Sequence, residues 1–144
     1  MAAESTNLYL IGYRCTGKTR VGRRVAGGLK WRFADSDALV ESEAGRTIQE
    51  IVDHEGWEGF RRCERAALVS LCEQRQTVVA TGGGVVLNEQ NVRDMRRSGY
   101  IVWLRAGPKK IVERMRADER TRSQRPALTD KSVFAEIASV LSER

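Results

Sequence analysis

One stretch, Gly12-Tyr13-Arg14-Cys15-Thr16-Gly17-Lys18-Thr19, narrows the choice of fold more than any other. It matches G-x-x-x-x-G-K-[ST] at every fixed position. It also stands between the short apolar run Leu8-Tyr9-Leu10-Ile11 and a helical stretch from about Lys18 to Leu29, the context such a loop requires. The physical need is plain. A phosphate chain wants several backbone N–H groups converging on it, and two glycines let the loop curl close enough. The helix start adds unpaired N–H groups and a positive dipole end. Lys18 then sets a point charge near the β- and γ-phosphates, and Thr19 offers a hydroxyl to Mg²⁺. Gly12, Cys15, Thr16, Gly17, Lys18 and Thr19, with Arg20 beside them, are the expected residues for binding ATP or GTP, Cys15 serving as a small filler.

The rest of the chain alternates in the way this loop demands. Trp31–Ala34, Val78–Ala80 and Tyr100–Leu104 read as further short strands without polar alternation. Between them lie helical stretches. Val21, Val25 and Leu29 share one face of the first, and Gly27-Gly28 suits its end. Thr47 to Glu50 has capping-box spacing and opens a helix carrying Ile48, Ile51 and Val52. Others are expected over 59–75, with Ala66, Leu68, Val69 and Leu71 inward, and over 89–97, 108–116 and 130–142. Strands separated by helices imply an α/β fold, a three-layer α/β/α P-loop NTPase architecture with a central parallel sheet of four strands. A chain of 144 residues makes one domain of it.

Composition excludes other classes. With 41% hydrophobic and 31% charged residues the chain is not a disordered one. No apolar run nears the roughly 20 residues of a membrane span, and Met1–Thr6 lack the basic start and apolar stretch of a signal peptide. A cytoplasmic protein without a membrane partner is expected. Three cysteines (Cys15, Cys63, Cys72) without CxxC spacing indicate neither a disulfide framework nor a zinc site, and His54 stands alone as a surface residue. The net charge of +6 comes from 20 Arg and 5 Lys against 19 acids. No basic stretch is interleaved with stacking rings, and a small anionic ligand accounts for the sign just as well as nucleic acid does, so no nucleic-acid partner is expected.

The phosphate loop does not name an acceptor; other strand ends must. Asp35-Ser36-Asp37 follows the second strand, where one Asp can serve the metal and the other an acceptor hydroxyl, although Asp before a helix is also a plain N-cap. Gly82-Gly83-Gly84 follows the third and leaves backbone N–H groups unobstructed. Arg61 carries a planar fork suited to a carboxylate. Residues 114–125 hold five Arg against Asp118 and Glu119, with Pro126 behind, and read as a basic loop able to close over phosphates.

Taken together, GYRCTGKT, FADSD (33–37), EGFRRCE (58–64), TGGG (81–84) and RPAL (125–128) resemble shikimate kinase, a family of small P-loop kinases. The resemblance runs from Leu8 to Arg144. It implies phosphoryl transfer from ATP to the 3-hydroxyl of shikimate, with Mg²⁺ as cofactor and a monomeric enzyme. By position, Asp35 would join Thr19 at the metal, and Asp37 would orient or deprotonate the attacking hydroxyl. Arg61 and Arg144 would pair with the shikimate carboxylate, while Gly83 and Gly84 flank the ring. Lys18 and Arg125, the latter on a lid over about 114–126, would approach the transferred phosphate, making Asp37, Lys18 and Arg125 the catalytic set. Arg114 and Arg116 are both candidates for the family's adenine-facing arginine. The core would span 1–113 and 127–144, with the acceptor region over about 35–64. The family continues beyond the match to Arg144 into a fifth strand, an adenine-side loop and a last helix, so four strands and a C-terminally incomplete, weakly active or non-catalytic nucleotide-binding module are also weighed. Gluconate-type and nucleotide-type kinases are the rival acceptor classes.

Overall fold

The computed structural model describes residues 6–117. Four parallel strands, β1 (Asn7–Ile11), β2 (Arg32–Asp35), β3 (Thr77–Ala80) and β4 (Gly99–Trp103), stand in the order β2-β3-β1-β4. Leu8 pairs with Val78 on one side and Tyr100 on the other, and Phe33 pairs with Val78. Helix α1 (Lys18–Leu29) carries the chain from β1 to β2 over one sheet face. There Leu10, Ala26 and Val78 are buried together with Leu8, Trp31 and Phe33 against them. The opposite face is covered by α3 (Ile48–Cys72) and α4 (Glu89–Ser98), which bury Tyr9, Leu68, Leu71, Val79 and Met95. This is the expected α/β/α sandwich.

The connections decide where a ligand sits. The chain leaves β1 toward one face and leaves β3, its neighbour, toward the other. The crevice between their carboxyl ends is thus the switch point at which open parallel sheets bind ligands. Asn7 anchors the opposite end of the strands, donating to the carbonyls of Leu71 and Gln74 while its Oδ1 accepts from Thr77 N–H. Burial pushes the Tyr9 phenol up to about 12, and its hydroxyl pairs with Ser98 at 2.6 Å.

Several local expectations change. On α1 the buried side is Gly22 and Ala26, while Val21 and Leu29 are exposed. A β-carbon on Gly22 would stand 2.7 Å from the Phe33 ring, so small residues set the helix–sheet distance, and of the expected stripe Val25 packs against the Leu10–Ala26–Val78 cluster. The helix runs through Gly27-Gly28 and ends at Lys30, whose left-handed backbone (φ 58) caps the carbonyls of Ala26 and Gly27. Ala66 and Val69 point outward; Ala67, Leu68 and Leu71 face the core. The helix expected from Gly59 is continuous with the capped one before it, joined across Gly56 at φ 72. That helix ends at Cys72 rather than near Arg75. The Thr47–Glu50 capping box is present. An additional short helix, α2 (Ser36–Ala44), follows β2 and packs Val40 against Ile48, Ile51 and Phe60 of α3. The last described helix, α5 (Pro108–Ala117), begins at Pro108 as expected. The helix expected over 130–142 and the lid beyond 117 lie outside the described residues.

Candidate active site

Three strand ends meet at one end of the sheet. After β1, Gly12 takes φ 142, and a β-carbon there would overlap the Leu104 carbonyl, so only glycine lets the loop leave the sheet in this direction. Gly17 (φ 97) is the N-cap of α1. Within the loop, Thr16 donates its hydroxyl to the Tyr13 carbonyl at 2.7 Å. Lys18 is 7% exposed, and its ammonium donates to the carbonyls of Gly12 and Tyr13. Two backbone carbonyls thus hold the lysine ammonium at the loop. Cys15 is half-buried at φ 61, and Arg20 is exposed on the outer side of α1.

Asp35 is the N-cap of α2 and also faces Thr19. One oxygen caps α2, accepting from Asp37 N–H at 2.9 Å and Ala38 N–H at 3.2 Å. The other accepts from the Thr19 hydroxyl at 3.4 Å. A hydroxyl and one carboxylate facing each other beside a phosphate loop suit Mg²⁺. That ion favours one or two protein oxygens completed by substrate phosphates and water over an all-protein cage. Among the described residues no group of three or more His, Cys, Asp or Glu could form such a cage.

The acceptor side is built from side chains of three elements. Asp37, in the first turn of α2, is 9% exposed. Its Oδ1 and the Glu64 Oε2 lie 2.7 and 2.8 Å from the place a β-carbon on Gly82 would take. Ser36, fully buried, accepts the Gly82 N–H at 2.9 Å and so ties the Asp-Ser-Asp turn to the three-glycine turn. Arg61 on α3 donates Nη1 to Glu64 Oε1 at 2.8 Å, and its guanidinium also lies over the rings of Trp57 and Phe60. That guanidinium is so close to Gly84 that a β-carbon there would overlap it. Carboxylates, a guanidinium and side-chain-free backbone thus come together at the carboxyl end of β3, the strand beside β1.

These motifs, in this order and on this sheet, can be set beside known proteins. The family model for shikimate kinase matches residues 14–144. The chain belongs to the shikimate kinase family. It is 43% identical over 138 residues to a shikimate kinase of Rhodopirellula baltica, covering 96% of this chain and 74% of that one. It is likewise 43% identical over 137 residues to shikimate kinase 2 of Escherichia fergusonii, covering 95% of this chain and 75% of the relative. Among solved structures, shikimate kinase from Acinetobacter baumannii in complex with shikimate superposes with a TM-score of 0.88 at 32% identity, over 98% of this chain and 77% of that one. A gluconokinase from Sinorhizobium meliloti shares 16% identity at a TM-score of 0.50, a likeness of fold alone.

Against the family's motifs, the structure brings together Gly12, Cys15, Thr16, Gly17, Lys18, Thr19, Asp35, Asp37, Arg61 and Gly84 at one sheet end, with Gly83 between the last two turns. Arg125 and Arg144 lie outside the described residues. Two residues escaped the sequence reading. Glu64 is 2% exposed, and its only trace was its position three residues after Arg61 on a helix, the spacing of an ion pair. Ser36 left no trace at all, because its partner is a backbone N–H on another strand. Arg114, one of two candidates for adenine, donates Nη1 to the Cys15 carbonyl at 2.9 Å.

Proposed function

We propose that this chain catalyses the transfer of the γ-phosphoryl group of ATP to the 3-hydroxyl of shikimate. The observation that carries this reading is the adjacency of two unlike half-sites: a backbone loop with Lys18, and a polar cluster of Asp37, Arg61 and Gly84. Phosphoryl transfer asks a protein mainly for position and charge stabilisation. The loop N–H groups and Lys18 bind the phosphates, with Arg125 approaching the transferred group from a lid over 114–126. Thr19 and Asp35 would hold Mg²⁺, whose chemistry when bound is to neutralise charge on the β- and γ-oxygens.

On the other side, Arg61, joined by Arg144, holds the acceptor carboxylate. Glu64 fixes the direction of the Arg61 fork, and Gly83 and Gly84 let the ring lie against the backbone. Asp37 holds the attacking hydroxyl in line and accepts its proton as the new P–O bond forms. The division into a core, a lid and an acceptor region over 35–64, and a monomeric state, belong to the same proposal. Among the described residues no helix is long and apolar enough to cross a membrane.

The test is a coupled ADP-release assay with ATP and Mg²⁺ across shikimate, gluconate and nucleoside monophosphates. Turnover with shikimate alone is expected. Turnover with another acceptor and none with shikimate would overturn the assignment.

A further inference from the structure

Cys15 sits at φ 61, a left-handed backbone that a non-glycine residue holds only where its surroundings impose it. The surroundings come from α5. Tyr13, two residues earlier, is 3% exposed and buried against Ile111 and Val112, with Cys15 and Ala106 on the same cluster. One turn beyond Ile111, Arg114 reaches back across 99 residues of sequence to donate its Nη1 to the Cys15 carbonyl at 2.9 Å. Because a trans peptide is planar, its C=O and N–H point in opposite directions. A Cys15 carbonyl drawn toward Arg114 therefore turns the Thr16 N–H away from α5. Thr16 is fixed in turn by its hydroxyl bond to the Tyr13 carbonyl.

We infer that Arg114 is a positioning residue for the phosphate loop: by holding the Cys15 carbonyl it sets the Cys15–Thr16 peptide so that the Thr16 N–H faces a bound phosphate chain. The role differs from stacking on a nucleotide base, because it operates through the backbone of the loop and without any base. It also makes the loop and the root of the 114–126 segment one mechanical unit. The inference rests on the reading of residues 12–19 as an ATP-phosphate loop, but its first measurement does not.

That measurement is the rate at which iodoacetamide labels Cys15 in nucleotide-free protein, followed by peptide mass, with half-buried Cys63 and Cys72 as internal references. Arg114→Ala should raise Cys15 labelling about three- to tenfold relative to Cys63, the range set by the net strength of one hydrogen bond. Affinities for ADP and for base-free tripolyphosphate should fall by that same factor, with shikimate affinity unchanged. Arg114→Lys, which keeps a donor, should recover most of both. Unchanged Cys15 labelling would overturn the inference, as would weakened ADP binding with tripolyphosphate unaffected, which is the signature of a base contact. Wild-type protein that binds neither ADP nor tripolyphosphate would instead sink the phosphate-loop reading, and the nucleotide-free labelling separates that failure from failure of the brace.

Discussion

The two halves of the site hold their cations differently. Lys18, on the phosphate side, is bonded to the carbonyls of Gly12 and Tyr13; Arg61, on the acceptor side, is bonded to the carboxylate of Glu64. A carbonyl dipole positions a cation without neutralising it, whereas a carboxylate does both. On the phosphate side, backbone thus sets the place of the cation where a polyanion would bind. A partly neutralised, directionally fixed fork stands where a single carboxylate would bind. The phosphate side is also made almost wholly of backbone from one contiguous loop. The acceptor side is made of side chains from α2 and α3 laid against the backbone after β3. Substitutions should accordingly be far more damaging on the acceptor side than at the variable positions of the loop.

The sharpest way to break this contrast is Asp37→Asn. The amide keeps the shape of the side chain but cannot take a proton, and a positioned base contributes roughly 100-fold or more to turnover. kcat should fall by at least about 100-fold while ADP affinity, measured by calorimetry, stays within about twofold. A variant with wild-type kcat would remove Asp37 from the reaction. Next in size is Arg61→Ala. A hydrogen bond to a charged group is worth about 1.5–3 kcal/mol, so the KM for shikimate should rise roughly tenfold to 100-fold with the KM for ATP unchanged. The melting temperature should also drop, because the buried Glu64 loses its guanidinium partner. Equal rises in both KM values would show that the two halves are not separate. Smaller again is Gly84→Ala. Its methyl group would enter the space the Arg61 guanidinium occupies, and the flexible arginine can shift to make room. A threefold to tenfold rise in shikimate KM at nearly constant melting temperature is expected, and no rise would mean that Arg61 has no fixed place.

The same contrast explains what could be read from residues alone. The phosphate loop was legible because its function is local: eight successive residues, a strand before and a helix after, contain the whole geometry. The parallel sheet followed from apolar runs spaced by helices. Asp35, Asp37, Arg61 and the glycine turn were legible as chemistry, but their convergence was known only through family resemblance. Nothing in Ser36 says that it will accept a hydrogen bond from Gly82, 46 residues away. The α1 face departs from its hydrophobic spacing for a related reason. Hydrophobic spacing rewards large side chains, whereas the close approach of α1 to Phe33 requires the missing side chain of Gly22. The pairing of Arg114 with a backbone carbonyl leaves no mark in composition or period either.

The smallest expected effect tests the phosphate side directly. Cys15 is a variable position of the loop whose carbonyl accepts from Arg114. Cys15→Ala retains that carbonyl and places a β-carbon in the same left-handed backbone, so neither strain nor loop direction changes. What is lost is one sulfur atom at the margin of the Tyr13–Ile111–Val112 cluster, a half-buried contact. Burial bookkeeping at about 25 cal/mol per Å² makes this a loss well under 1 kcal/mol. ADP affinity should therefore stay within about twofold of wild type, and kcat should be unchanged. A tenfold loss would mean that the loop relies on the thiol for its shape, and the division between a backbone-built and a side-chain-built half-site would no longer hold.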